Sequence, residues 1–209
     1  NNLGLKYLEY KSAKGTDFKV ELNEDGIFCG GDEKTLKGRV FNPNIPSEEV
    51  FTSPKAGAAE GIVYATKPLS YQGELIENFS VRFQGGKVVE VKAEKGEELL
   101  KQMVSMDEGA GMLGECALIP FDSPINNSGV LFYNTLFDEN ASCHLALGHG
   151  FNECLKGYEN YTNDQCKERG INDSMIHVDF MIGAKDMSIV GITKTGERVQ
   201  IFRDGNWAF

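Results

Sequence analysis

Basic residues are in short supply in this chain: 21 Lys and Arg stand against 31 Asp and Glu, a formal net charge of −10. A nucleic-acid-binding face needs surplus positive charge, so the balance argues against nucleic acid as a partner. There is no run of about 18 apolar residues, so no membrane-spanning helix is expected. No secretory leader is read at the start. The opening stretch, "NNLGLKYLEYKSAKGTDFKVEL", looks instead like the interior of a longer chain. The five cysteines are odd in number and form no C-x-x-C, which argues against a disulfide framework or a zinc ribbon. Reduced thiols and a cytoplasmic location are expected, and the N-x-Ser/Thr triplets are read as chance.

What is present is ordinary for a soluble globular protein: 41% hydrophobic and 25% charged over 209 residues, with no internal repeat. Alternating runs separated by Asp25-Gly26, Gly85-Gly86, Thr195-Gly196 and Asp204-Gly205 read as strands and hairpin turns. "PNIPSEEVFTSPKAGAAEG" reads as a loop with at most a short strand inside it. "EKGEELLKQMVSMD" reads as a helix with Leu99, Leu100 and Met103 on its apolar stripe. "SGVLFYNTLFDENAS" fits a second helix, and "YENYTNDQCKERGINDS" a polar connection. The fold class expected is α+β: a single β-rich domain over residues 1–209, with antiparallel or mixed sheets and a few helices.

Several of these apolar runs carry polar residues that a core does not want. In "MIHVDFMIG", alternation places Ile176, Val178, Phe180 and Ile182 on one face and His177, Asp179 and Met181 on the other. Burying a His and a carboxylate side by side is costly unless something rewards both. A metal ion does so, and so does a His–Asp hydrogen bond. Glu115 interrupts "MLGECALIPF", His144 interrupts "SCHLALG", and Glu48 and Glu49 precede Val50-Phe51. Imidazole nitrogen and carboxylate oxygen are the donors that borderline divalent metals take. The inventory suits a two-metal hydrolytic site.

The segments "NPNIPSEEVFTSP", "GECALIPFDSPINNSG", "LFYNTLFDENASCHLALG", "HVDFMIGAKDMSIVGI" and "IFRDGNWAF" resemble the aminopeptidase T / aminopeptidase S family of metal-dependent aminopeptidases. The resemblance runs from about Gly15 to the end of the chain. It implies a broad-specificity exopeptidase with two divalent metal ions (zinc, cobalt or magnesium), acting on peptide substrates and usually a homodimer. Members also carry an N-terminal domain of comparable size, so this chain resembles the C-terminal catalytic, metal-binding domain. Carried over by motif, the ligands are Glu49, Glu115, His144, His177 and Asp179, with Glu115 bridging. Spacing to the later motifs favours Glu49 over Glu48. Where the family has a Tyr near the metals, this chain has Phe151, which lacks a hydroxyl to donate; His149 is the nearest substitute.

The mechanism expected is attack by a metal-activated water, with the free amine of the substrate held by a metal or a carboxylate. Glu115 and Glu48 are the residues expected at the reacting atoms, and Asp138, Glu139 and Phe151 those beside the substrate. Glu48, Asp138 and Glu139 can each serve as base or amine binder, or be solvated loop and helix-end polarity. Two other classes remain: a cysteine hydrolase using Cys143 and His144, and a non-catalytic or impaired metal-binding or interaction module. Adjacent strand residues face opposite ways, which disfavours the cysteine pair. The same alternation makes Cys116 and Cys143 buried and inert.

Overall fold

Strict alternation builds the larger of two sheets. In Leu5–Lys11 and Asp17–Leu22 the buried side chains are Leu8, Tyr10, Phe18, Val20 and Leu22, with Glu9, Lys19 and Glu21 between them. This is the period-two pattern of strands with one wet face. The computed structural model describes residues 1–45 and 48–209. It pairs eight strands in the order Lys87–Lys92, Ser80–Gln84, Pro54–Tyr64, Asp17–Leu22, Leu5–Lys11, Ser188–Thr193, Arg198–Arg203 and Asn206–Trp207. Every neighbouring pair is antiparallel.

The second sheet has five antiparallel strands in the order His177–Met181, His144–Gly148, Leu113–Leu118, Val50–Thr52 and Cys29–Gly30. Its central strands are buried along their whole length. One face gives Cys116, Leu118, Cys143, Leu145, Leu147, Val178 and Phe180 to a core shared with Leu8, Tyr10, Phe18 and Val20 of the larger sheet. Phe79 and Phe180 meet there with ring centroids 5.8 Å apart. Truncating either to Ala is expected to cost about 3–5 kcal/mol, the usual range for a buried aromatic. The opposite face carries the polar residues.

One irregularity decides which face Glu115 takes. Leu113 and Glu115 have the same parity, yet Leu113 lies in the core and Glu115 does not. The register with His144–Gly148 slips between them, at Gly114. A bulge adds one residue and turns the strand over. Only glycine fits there, because a Cβ at 114 would stand 2.1 Å from the carbonyl oxygen of His149.

Three expectations need correction. The stretch read as a loop, residues 43–61, contains the first eight residues of the eleven-residue strand Pro54–Tyr64. Its Gly57 and Gly61 look like turn residues, but Gly61 sits where the neighbouring strand comes so close that a Cβ would meet the Asp17 carbonyl at 2.1 Å. The helix read over residues 128–142 shrinks to Thr135–Asp138 and a 3₁₀ turn Glu139–Ala141. Asn134 caps it by accepting from the Leu136 N–H, and Tyr133 before it has φ 58°, which no helix contains. The polar connection holds the helix Asn163–Glu168, started by a capping box of Thr162 and Gln165. The helix Glu97–Val104 forms as expected, burying Leu100 and Met103.

Candidate metal centre

The polar face of the five-stranded sheet gathers its residues from neighbouring strands. Glu115, His144 and the His177/Asp179 pair come from three strands side by side. Ala146 lies directly between Glu115 and Asp179 in register, so its small side chain leaves room for both carboxylates. Glu49 enters from the chain just ahead of Val50–Thr52.

Within this cluster His144 Nε2 is 3.3 Å from Glu49 Oε1, 3.9 Å from Glu115 Oε1 and 3.9 Å from Asp179 Oδ1. His177 Nε2 is 3.2 Å from Glu115 Oε2 and 3.3 Å from Asp179 Oδ1. The two oxygens of Glu115 thus face different histidines. Two donor sets result, Glu49/Glu115/His144 and Glu115/His177/Asp179, in each of which one atom per residue lies within 4.8 Å of the others. Glu115 belongs to both.

Main-chain carbonyls orient both imidazoles. His177 Nδ1 lies 2.7 Å from the His149 carbonyl oxygen, and His144 Nδ1 lies 3.3 Å from that of Ser142. A proton on Nδ1 leaves Nε2 as the free lone pair, the arrangement that metal-ligating histidines use. Asp179 Oδ1 is buried with no hydrogen-bond partner among the described residues, although His177 Nε2 is near. An orphaned buried oxygen beside two inward-turned imidazoles fits a divalent cation.

Electrostatics agree. Burial lowers both histidines, but the hydrogen bond to Glu49 and the charges of Glu115, Glu49 and Asp179 push His144 up to about 10. His177 is likewise lowered by burial and carried up to about 11 by Asp179 and Glu115. Burial raises Glu115. Burial would also raise Asp179, but the His177 imidazole beside it outweighs burial and holds the carboxyl below its usual range. Without a cation the cluster therefore neutralises itself with protons on its imidazoles.

Glu49, Glu115, His177 and Asp179 floor a cleft of about 830 Å³ walled by Phe51, Leu136, Phe151 and Tyr158. A smaller cleft of about 540 Å³ near Leu22 and Glu168 contains none of them; of its basic residues, Lys55 pairs with Glu21, Arg169 with Asp25, and Lys194 donates to the Glu24 carbonyl.

The remaining sequence candidates separate. Of the neighbouring pair, Glu49 turns into the cleft, whereas Glu48 is exposed and does not line it. Residues Pro46 and Ser47 of the same motif lie outside the described residues. Glu139 lines the cleft; burial first, then the charge of Asp179, push its carboxyl up to about 9. Asp138 is buried and accepts from the Phe132 and Asn134 N–H groups at 2.7 and 3.0 Å, which fixes the loop entering Thr135–Asp138. Phe151 lines the cleft, and the His149 side chain pairs with Asp173 at 3.7 Å, away from it. Cys143 is pushed up to about 12 by burial and donates to the Ile119 carbonyl, which disfavours the cysteine-hydrolase class. Sequence reasoning missed Asn44, whose side-chain amide donates to Glu139, and Tyr158. Neither stands against an apolar background that would single it out.

The model of the thermophilic metalloprotease (M29) family matches residues 1–207. The chain belongs to this family. Similar proteins include aminopeptidase AmpS of Bacillus subtilis (strain 168), 50% identical over 94% of this chain, and aminopeptidase 2 of Geobacillus stearothermophilus, 48% identical over 100% of it. The alignments cover 48% and 50% of those proteins, so the chain spans about half the length of the curated relatives it matches. Wild-type AmpT from Thermus thermophilus superposes with a TM-score of 0.90 at 44% identity, over 98% of this chain and 50% of that one. A 2,5-dihydroxypyridine dioxygenase from Pseudomonas putida KT2440 shares the fold alone, with a TM-score of 0.58 at 15% identity. Among the described residues no helix is long and apolar enough to cross a membrane. M29 membership implies a divalent metal, and the His/carboxylate donor sets suit one.

Proposed function

We propose that this chain is the C-terminal, metal-binding half of a two-metal aminopeptidase that releases N-terminal residues from peptides. One observation carries the reading: the donor sets Glu49/Glu115/His144 and Glu115/His177/Asp179 share Glu115, whose two oxygens face the two histidines. Glu49, His144 and Glu115 would hold one ion and Glu115, His177 and Asp179 the other. Divalent ions in those sets would polarise the scissile carbonyl and acidify a water at neutral pH. Zinc, cobalt and magnesium are the ions proposed.

The chain's own residues do the rest. The Ser142 and His149 carbonyls accept from Nδ1 of each imidazole, so that Nε2 is the nitrogen turned inward to the donor sets. Phe51, Phe151 and Leu136 supply an apolar wall that excludes water and receives a substrate side chain. Glu139, steadied by Asn44, is placed to take a proton from the attacking water and pass it to the leaving amine. This role suits Glu139 better than exposed Glu48. Its high proton affinity reflects burial and the Asp179 charge, and a divalent cation held by the neighbouring donor sets would lower it toward neutral pH. The acidic rim at Asp32, Glu33 and Glu153 favours the cationic α-amine of a peptide, which supports cleavage from the N-terminus. A homodimer in the cytoplasm is part of the proposal.

The alternative, a metal-binding module without turnover, rests on Phe151. The relatives are named aminopeptidases, which favours the enzyme. The test is metal analysis of the protein carrying both halves, followed by digestion of a peptide library. Release of N-terminal residues only, lost with a chelator and restored by zinc or cobalt, is the expected result. Stoichiometric metal with no cleavage would favour the module.

A further inference from the structure

Two of the five thiols meet at the wall of the cleft. Cys29 lies on the edge strand Cys29–Gly30, is half-buried and lines the cleft. Cys154 closes the 3₁₀ turn Asn152–Cys154, just past Phe151, and is fully buried. Their segments run antiparallel. Ile27 N–H donates to the Cys154 carbonyl at 2.8 Å, Lys156 N–H donates to the Asp25 carbonyl at 2.9 Å, and Gly26 bridges to Leu155. This pairing brings the two side chains together: the Cys29 S–H donates to the Glu153 carbonyl at 3.5 Å, one peptide unit ahead of Cys154.

The two thiols are not equivalent. The neighbouring Cys154 thiol holds the Cys29 thiol below its usual range. The Cys29 thiol, and then burial, raise Cys154. An accessible, more acidic thiol backed by a buried one is the arrangement in which the first is oxidised and the second resolves it.

We propose that Cys29 and Cys154 form a hydroperoxide-sensitive dithiol that closes to a disulfide across the cleft wall. The Cys29 thiolate attacks the terminal oxygen of a hydroperoxide. The O–O bond breaks, leaving Cys29 as a sulfenic acid and releasing an alcohol, or water from hydrogen peroxide. Cys154 sulfur then attacks Cys29 sulfur; the S–S bond forms, the S–O bond breaks, and the departing hydroxide leaves as water with the Cys154 proton. In sum, two thiols and one hydroperoxide give one disulfide, one alcohol and one water. The cross-link joins two elements beside the proposed ligands. Cys29 pairs in register with Phe51, two residues past Glu49, and Phe51 packs against Phe151 with ring centroids 5.6 Å apart.

The experiment treats the reduced full chain with one equivalent of hydrogen peroxide, blocks free thiols by alkylation and maps the peptides by mass. The expected product joins the Cys29 and Cys154 peptides with loss of two hydrogens, and dithiothreitol reverses it. Cys116 and Cys143 alkylate only after unfolding. In Cys154→Ser, a sulfenic-acid trap such as dimedone should label Cys29; in Cys29→Ser, Cys154 should stay unoxidised. Irreversible oxidation of Cys29 without the cross-link would overturn the proposal. So would pairing of Cys29 with another cysteine, or a wild-type chain with both thiols still alkylatable. Because the wild-type map decides alone, a variant that fails to fold does not shelter the idea.

Discussion

The Phe151 ring lies against the His177 imidazole, with centroids 4.8 Å apart and planes tilted by 48°. It therefore stacks on a proposed metal ligand and offers no donor to the reacting atoms. Phe151→Tyr adds one hydroxyl without changing the stack. Metal content is expected to stay the same and kcat to rise about tenfold, a fraction of what a well-placed oxyanion donor provides. Steady-state kinetics with a dipeptide check this. An unchanged kcat would mean that the para position of residue 151 does not face the substrate.

Glu115 belongs to both donor sets, so its loss should be felt twice. Glu115→Gln is expected to lower bound metal below one ion per chain and to abolish cleavage. Glu48→Gln should leave both nearly intact, since Glu48 is exposed and outside the cleft lining. Glu139→Gln should keep the metal and lower kcat by about 10²–10⁴, the range for a lost general base. Metal analysis beside kinetics separates the three. Metal loss on Glu48→Gln would exchange the roles of the neighbouring glutamates.

The metal-free protein should weaken as pH rises. His144 and His177 stand at about 10 and 11 in the fold against 6.5 for the free side chain. A raised folded-state value adds stability that is complete below about 6.5 and lost as pH climbs through the folded values. Glu139, raised from 4.5 to about 9, acts in the same sense over its own interval. The melting temperature in chelator should thus fall from pH 6 to pH 10. Adding zinc should reverse the slope up to about pH 8, because the ion must displace those protons to bind. Thermal melts in both conditions check it. A flat chelator profile would show that the imidazoles are not protonated in the metal-free fold.

The chain alone should fold, bind metal and turn over dipeptides poorly. Its core joins both sheets and encloses the donor face from within. The cleft, however, is open to solvent, and positioning and water exclusion depend on all of its walls. Assaying this chain beside the protein carrying both halves, with added zinc or cobalt, tests the point. Equal specific activity would show that the second half is dispensable.

What could be read beforehand was what alternation controls. His177 with Asp179, His144 and Glu115 each broke an apolar run, and each lies on the face opposite the core. Backbone-dependent features were invisible. The bulge at Gly114, the Ser142 and His149 carbonyls and the amide of Asn44 leave no side-chain pattern. The first part of Pro54–Tyr64 was hidden because its glycines, one of them needed for close strand approach, resemble turn residues. The helix over 128–142 was overextended because its apolar spacing, at Val130, Tyr133 and Phe137, belongs mostly to exposed side chains of an irregular loop.

The missing Cβ at Gly114 has a reach that its size conceals. The His149 oxygen occupying that space also receives the proton of His177 Nδ1. A methyl group at 114 would press on this carbonyl, release the imidazole two strands away and free it to carry its proton on Nε2 instead. The same methyl would strain the backbone that aims Glu115. A glycine without a side chain thus acts as a mechanical coupling between a carboxylate and a tautomer, and a search confined to donor atoms would pass over it.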